Sequence, residues 1–140
     1  MEFVELIKYL KITYENIFNL HHNIQSANYY ADHEKMAEYY ELVQKIADDM
    51  IESGLIIGVR EPTIRECAEK YEVIDTTNRS AIDCYKIIFE YFNDIIDLMD
   101  IVKEQCPDWL KSKIEEHQYT LNIEANFKIK HLLGLSTPEQ

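Results

Sequence analysis

Apolar residues recur along this chain in alternating steps of four and three, the spacing that lines one face of an α-helix. The first run is Phe3, Ile7, Leu10, Tyr14, Ile17, His21 and Ile24, and it ends near Ser26–Asn28. A second face carries Met36, Tyr39, Val43, Ile46 and Met50. Asp32 is its expected N-cap, and Gly54 and Gly58 mark where it frays and stops. A third run, Ala81, Tyr85, Ile88, Phe92, Ile95, Met99 and Val102, keeps heptad register to about Gln105. Its neighbouring positions Ile87, Tyr91 and Leu98 are apolar too, so this helix is expected to be the most buried. Thr76, Thr77 and Asn78 are its candidate caps. Pro107 stops it, and Asp108 is placed to cap a fourth helix from Trp109 to about Leu133. Ser136–Gln140 reads as a short disordered tail.

Tight turns join the first helix to the second and the third to the fourth. Residues 57–78 form a much longer connection that contains Glu61-Pro62-Thr63 and a short amphipathic piece, Ile64 to Tyr71. Thr63 and Glu66 stand at capping-box spacing at its start. A connection of that length returns the chain along the bundle, so that the third long helix begins where the second began. The expected fold is all-α: a ferritin-like four-helix bundle over residues 1–135, with one long crossover carrying a short helix between helices two and three. No internal repeat is evident.

Composition agrees. The chain has 140 residues, enough for one domain, and is 46% hydrophobic with ten Tyr, five Phe and one Trp, enough for a real core. Three Gly and three Pro leave few turns for an all-β chain. A formal net charge of −12 repels phosphate backbones, which argues against binding DNA or RNA. Cys67, Cys84 and Cys106 are far apart and form no CxxC pair, as expected of reduced thiols in a cytoplasmic protein. The N-terminus mixes acids with apolar residues, unlike a signal peptide, and no apolar run suggests a membrane span.

The candidate chemistry lies in His21, His33, Asp48 and Glu52, spaced by twelve, fifteen and four residues. Singly, each has an ordinary reading: a core histidine, a surface histidine and a solvated acidic pair. Together they suit a metal. His33 and Asp48 on one helix would be roughly 22 Å apart at 1.5 Å per residue, whereas metal–ligand bonds to such groups are about 2 Å. One chain cannot close a site with both. Two antiparallel copies can, because His33 of one then faces Asp48 of the other. On a helical wheel His33, Asp48 and Glu52 flank the core stripe, where a second subunit would pack. His21 lies on the core stripe of its own helix, near the turn that leads to His33. No histidine follows a glutamate by three residues: the positions are Phe18, Asn19, Tyr30, Ile114 and Lys128. A di-iron centre of Glu-x-x-His type inside one bundle is therefore disfavoured.

Leu20-His21-His22-Asn23, then His33-Glu34-Lys35-Met36, then Ala47-Asp48 and Glu52 resemble the Dps-like mini-ferritins. The histidine-to-histidine and Asp-to-Glu spacings match, and the likeness covers residues 14–75. The resemblance implies iron binding and oxidation between two-fold-related subunits of a hollow dodecamer, with His21 and His33 of one subunit facing Asp48 and Glu52 of its partner. Two departures stand out. The family usually carries an Asp four residues after its second histidine, where this chain has Ala37. The family's Trp after the first histidine is His22 here, an additional candidate ligand, as is Glu38 next to Ala37. The family's DNA-binding basic tail is absent.

Two functions follow as expectations. The first is a metal-binding homo-oligomer, a two-fold dimer at least and a dodecamer by resemblance, that binds iron (or Zn or Mn) and is a candidate weak ferroxidase. The second is a structural or interaction protein that kept the ferritin-like bundle and lost the redox chemistry, for which Ala37 is the evidence.

Overall fold

The structure is a computed structural model that describes residues 2–135, so the expected tail at Ser136–Gln140 lies outside the described residues. Its helices are α1 (Glu2–Asn23), α2 (Tyr29–Ile56), α3 (Ile64–Lys70), α4 (Ala81–Lys103) and α5 (Asp108–Asn122), followed by a π-helical segment, Ile123–Ile129, and α6 (Lys130–Leu132). Among the described residues the only strand-like pairing is an isolated bridge between Gln25 and Ser80. The chain divides into two compact units, residues 1–81 and 82–140.

In the first unit α1 and α2 form a hairpin. The predicted stripes are buried: Phe3, Ile7, Leu10, Ile17, His21 and Ile24 from the first run, and Met36, Tyr39, Val43, Ile46 and Met50 from α2. The helices approach closely at one end, where a Cβ on Gly54 would lie 3.0 Å from the Phe3 ring. Gly54 is thus a packed position inside α2, not a point of fraying. The helix ends at Ile56, one residue past Leu55, in a Schellman arrangement. Val59 N–H donates to the Gly54 carbonyl (2.7 Å) and Gly58 N–H to that of Leu55 (3.2 Å), with Gly58 at φ +84.

The start of α2 corrects another expectation. Asn28, not Asp32, is the N-cap residue, and its side chain makes no capping bond. Asp32 sits one turn in, where its charge suits the helix N-terminus and its carboxylate accepts from the Ser26 hydroxyl. Starting the helix four residues earlier brings Tyr29 onto the same face as His33.

The crossover runs back along α1, tied by side chains of that helix. Lys11 Nζ donates to the Glu61 carboxylate and the Pro62 carbonyl, both at 2.7 Å. Asn16 donates to the Glu72 carbonyl (3.0 Å) and accepts from the Ile74 N–H (3.1 Å), standing in for a strand partner. Asn23 donates to the Thr76 hydroxyl (2.8 Å), and Gln25 N–H to the Arg79 carbonyl (2.9 Å). The chain therefore arrives beside the start of α2 just before α4 begins, as the length of the connection implied. α3 carries the expected capping box between Thr63 and Glu66. Thr76 to Asn78 do not cap α4, which starts only at Ala81. They form a turn, with Asn78 at φ 57, a conformation Asn tolerates better than most residues.

α1, not α4, has the more buried residues, ten against seven. Leu6, Thr13, Asn16 and Leu20 form a second buried face beyond what a one-stripe reading anticipates, with Asn16 bonded to the connection.

In the second unit the heptad positions Tyr85, Ile88, Phe92, Ile95, Met99 and Val102 of α4 are buried. Gln118 of α5 donates to the Ile96 carbonyl (3.1 Å) and the Asp100 carboxylate (2.7 Å), and accepts from Lys103 (3.1 Å). Pro107 is the N-cap residue of α5 and Asp108 its first helical residue, so the cap falls one position earlier than expected. The expected single fourth helix widens to π geometry at Ile123–Ile129, while Asn126 donates to Asn93 (2.8 Å).

Replacing Gly58 tests the α2 stop. A Cβ there meets nothing within 4 Å, so the cost is conformational only. Gly58→Ala is expected to lower the unfolding free energy by about 1–2 kcal/mol, read from the urea midpoint at unchanged m-value.

Candidate metal centre

The last turn of α1 and the first turns of α2 bring three histidines together. His33 Nδ1 lies 2.8 Å from the His21 carbonyl oxygen. A carbonyl only accepts, so Nδ1 carries the proton and His33 presents the Nε2 lone pair outward. A hydrogen bond of this kind orients a metal-ligating imidazole and raises its basicity. The Tyr29 hydroxyl is 3.2 Å from the same nitrogen, and the Tyr29 ring stacks on His33 at 5.0 Å. The His21 and His33 rings stack at 4.0 Å, with His22 at 4.5 Å from His21. Phe18 and Tyr40 pack around them.

His21 is 8% exposed, and its Nδ1 is buried with no hydrogen bond of normal geometry. Burial pushes its pKa below the ordinary 6.5, and the neighbouring His33 and His22 push the same way. The Phe18 carbonyl and Glu41 offset this only in part. His21 is thus held neutral, the form that binds a metal. A neutral imidazole beside a second one whose Nε2 lone pair is free can supply half of a metal site.

The other half lies far off. Asp48 and Glu52 are both exposed, one turn apart on α2. Since α2 is unbroken from Tyr29 to Ile56, the fifteen residues from His33 to Asp48 span roughly 22 Å. Among the described residues no three His, Cys, Asp or Glu side chains are grouped to hold a metal ion. The structure therefore unites His21 with His33, and Asp48 with Glu52, and does not join the two pairs within one chain. His22 is exposed at the edge of the imidazole pair. Glu38 is in an ion pair with Lys35 (2.7 Å), and Ala37 is half-buried. The sequence reading missed the aromatic surroundings of the histidines. The i, i+4 spacing of Tyr29 and His33 was the available signal, obscured by starting the helix too late.

Comparison with known proteins places the fold. The chain is similar to the crystal structure of Dps from Staphylococcus aureus, with a TM-score of 0.79 and 20% identity over 94% of this chain and 92% of that one. It is similar to Helicobacter cinaedi CAIP, with a TM-score of 0.78 and 20% identity over 94% and 99%. A Dps protein from Bacillus brevis gives a TM-score of 0.67 and 18% identity over 95% and 91%. No protein-family model and no curated protein matches the sequence. The fold is that of the Dps-like mini-ferritins: all-α, the ferritin-like four-helix bundle with a short helix in its crossover.

The depressed pKa of His21 has a consequence for stability. Above pH 6.5 His21 is neutral whether the chain is folded or not. Below it the unfolded chain takes up a proton that the folded chain refuses, so stability is lost as the pH falls from 6.5 toward the lower folded value. Urea unfolding of the metal-free protein between pH 7.5 and 5 should show this decline, and His21→Gln should flatten it.

Proposed function

We propose that this protein is a homo-oligomeric metal-binding protein whose sites form between two-fold-related copies, with iron as the metal. His21 and His33 of one copy supply two imidazole nitrogens, and Asp48 and Glu52 of a second copy supply the carboxylates. The observation that carries this reading is the His21–His33 pair: one imidazole held neutral and the other held in the tautomer that frees Nε2. The Dps-like fold supports it, as does the distance along α2. His22 is the nearest further nitrogen, and Glu38 the nearest further carboxylate.

Two imidazoles and two carboxylates suit Fe(II), and also Zn(II) or Mn(II), which the affinity order alone does not separate. With iron as substrate, Fe(II) gives one electron to dioxygen, and the carboxylates stabilise the ferric product through their charge. Ala37 leaves one expected carboxylate out, so oxidation is expected to be slow and to run through one metal position. The proposed setting is the cytoplasm, in a two-fold dimer or a larger closed assembly such as a dodecamer. Nucleic acid is not a partner, given the net charge of −12. No described helix is long and apolar enough to cross a membrane.

A second reading keeps the fold and the assembly and drops the redox chemistry. Ala37 favours it, because a site short of one ligand can hold a metal without turning it over. An aerobic Fe(II) titration separates the two. Oxidation well above the buffer rate, reduced at least about tenfold in His33→Ala and in Asp48→Ala, is the expected result. Mixing the two variants by co-refolding should restore activity, since each mixed dimer regains one intact site of its two. A wild-type rate equal to buffer sinks the oxidation. A monomer by light scattering sinks the shared site.

A further inference from the structure

Beside Asp48 the surface of the first unit opens into a groove of about 290 Å³, floored by Ala47, Ile51 and Ile64 and walled by Tyr14 and Gln44. At the other end of α2 stands Tyr30, 88% exposed, the most exposed of the large apolar side chains among the described residues. An exposed aromatic and an open apolar groove on one helix are two features that a single chain leaves unexplained.

The shared site relates them. If His33 of one copy meets Asp48 of another across antiparallel α2 helices, the rest of the register follows. Each step toward the N-terminus on one helix is matched by a step toward the C-terminus on the other. Three residues before His33 is Tyr30, and three residues after Asp48 is Ile51, the floor of the groove. Tyr30 and His33 share a face of α2, as do Asp48 and Ile51, because residues three apart lie one above the other. The same register sets Ala37 against Gln44 and puts the two-fold axis beside Tyr40 and Glu41. Tyr30, Ala37, Gln44 and Ile51 thus recur every seven residues, none of them charged. This second stripe runs beside the buried one and remains open, with Tyr30 and Gln44 exposed and Ala37 and Ile51 half-buried.

We propose that Tyr30 of one copy seats in the groove over Ala47, Ile51 and Ile64 of a second copy, and that this insertion sets the register that brings His33 to Asp48. The inference rests on the shared-site reading above and adds what holds it in place. Tyrosine suits the role: it covers much apolar area with few rotatable bonds, and buried aromatic anchors dominate binding energy at interfaces. Its hydroxyl would stay at the groove's polar rim, near Asp48 and Glu15. Ala37 is small where the helices pass, which permits close approach. The two insertions of a symmetric dimer flank the two metal sites on their outer sides and shield them from water.

Cross-linking tests the register. In a Cys106→Ser background, which removes the one native thiol that is not buried, a short bismaleimide should convert Tyr30→Cys/Ile51→Cys to a covalent dimer. Neither single variant should respond. Within one chain the two positions are roughly 31 Å apart along α2, too far for the reagent to bridge. Ala37→Cys/Gln44→Cys should cross-link in the same way and covers the case in which the first pair disturbs folding. Tyr30→Ser should raise the dimer dissociation constant at least about tenfold by sedimentation. Cross-linking of Ala37→Cys/Gln44→Cys together with an unchanged dissociation constant in Tyr30→Ser overturns the inference and leaves the shared metal site standing, whereas a dimer that neither pair cross-links overturns both. A cross-link from Tyr30→Cys alone also overturns the inference. A monomeric wild-type protein overturns both.

Discussion

The hydrogen bond from His33 Nδ1 to the His21 carbonyl is the contact on which the candidate centre depends. The last carbonyls of any α-helix lack partners within the helix, and the His21 carbonyl belongs to the final turn of α1. His33 satisfies that orphan from the second turn of α2. One bond therefore does three things. It closes the α1–α2 hairpin at its tight end, it assigns the His33 tautomer, and it places the two rings in a 4.0 Å stack. Stacked imidazoles at that distance resist carrying two positive charges, which adds to burial in keeping His21 neutral.

That contact is stable only because both helices are held elsewhere. At the far end of the hairpin, Gly54 lets α2 approach the Phe3 ring. Along the back of α1, Asn16 acts as a two-ended clamp on the crossover, meeting one carbonyl and one N–H of a segment that has no strand to pair with. A buried Asn in a helix is costly unless its amide is used in full, and here both ends are. The ties at Lys11 and Asn16 pair the Pro62 and Glu72 carbonyls and the Ile74 N–H of this irregular segment, and Asn23 holds the Thr76 hydroxyl.

Much of this was legible in the residues. The stripes on α1, α2 and α4 are buried as their periodicity implies, and Thr63 and Glu66 form the box their spacing announces. The departures share a cause: tertiary contacts override local signals. Asp32 looked like a cap and is instead held by Ser26 inside a helix that had already begun. Gly54 looked like a fraying point and is a packing position. Thr76 looked like the cap of α4 and its hydroxyl is taken by Asn23. Nothing in the pattern from Ile123 to Ile129 distinguishes a π-helix from an α-helix, because both keep one side chain row facing inward.

By itself, the sequence determined the helices, their order, the crossover and the separation of His33 from Asp48, because these depend on periodicity and on the fixed rise of a helix. It also carried the spacing that likens the chain to the mini-ferritins. The tertiary structure decided which atoms of the histidines are available. Tautomer and burial depend on which carbonyl and which rings lie within a few ångströms. Those neighbours come from α1 and α2 together, and no spacing along one helix encodes them.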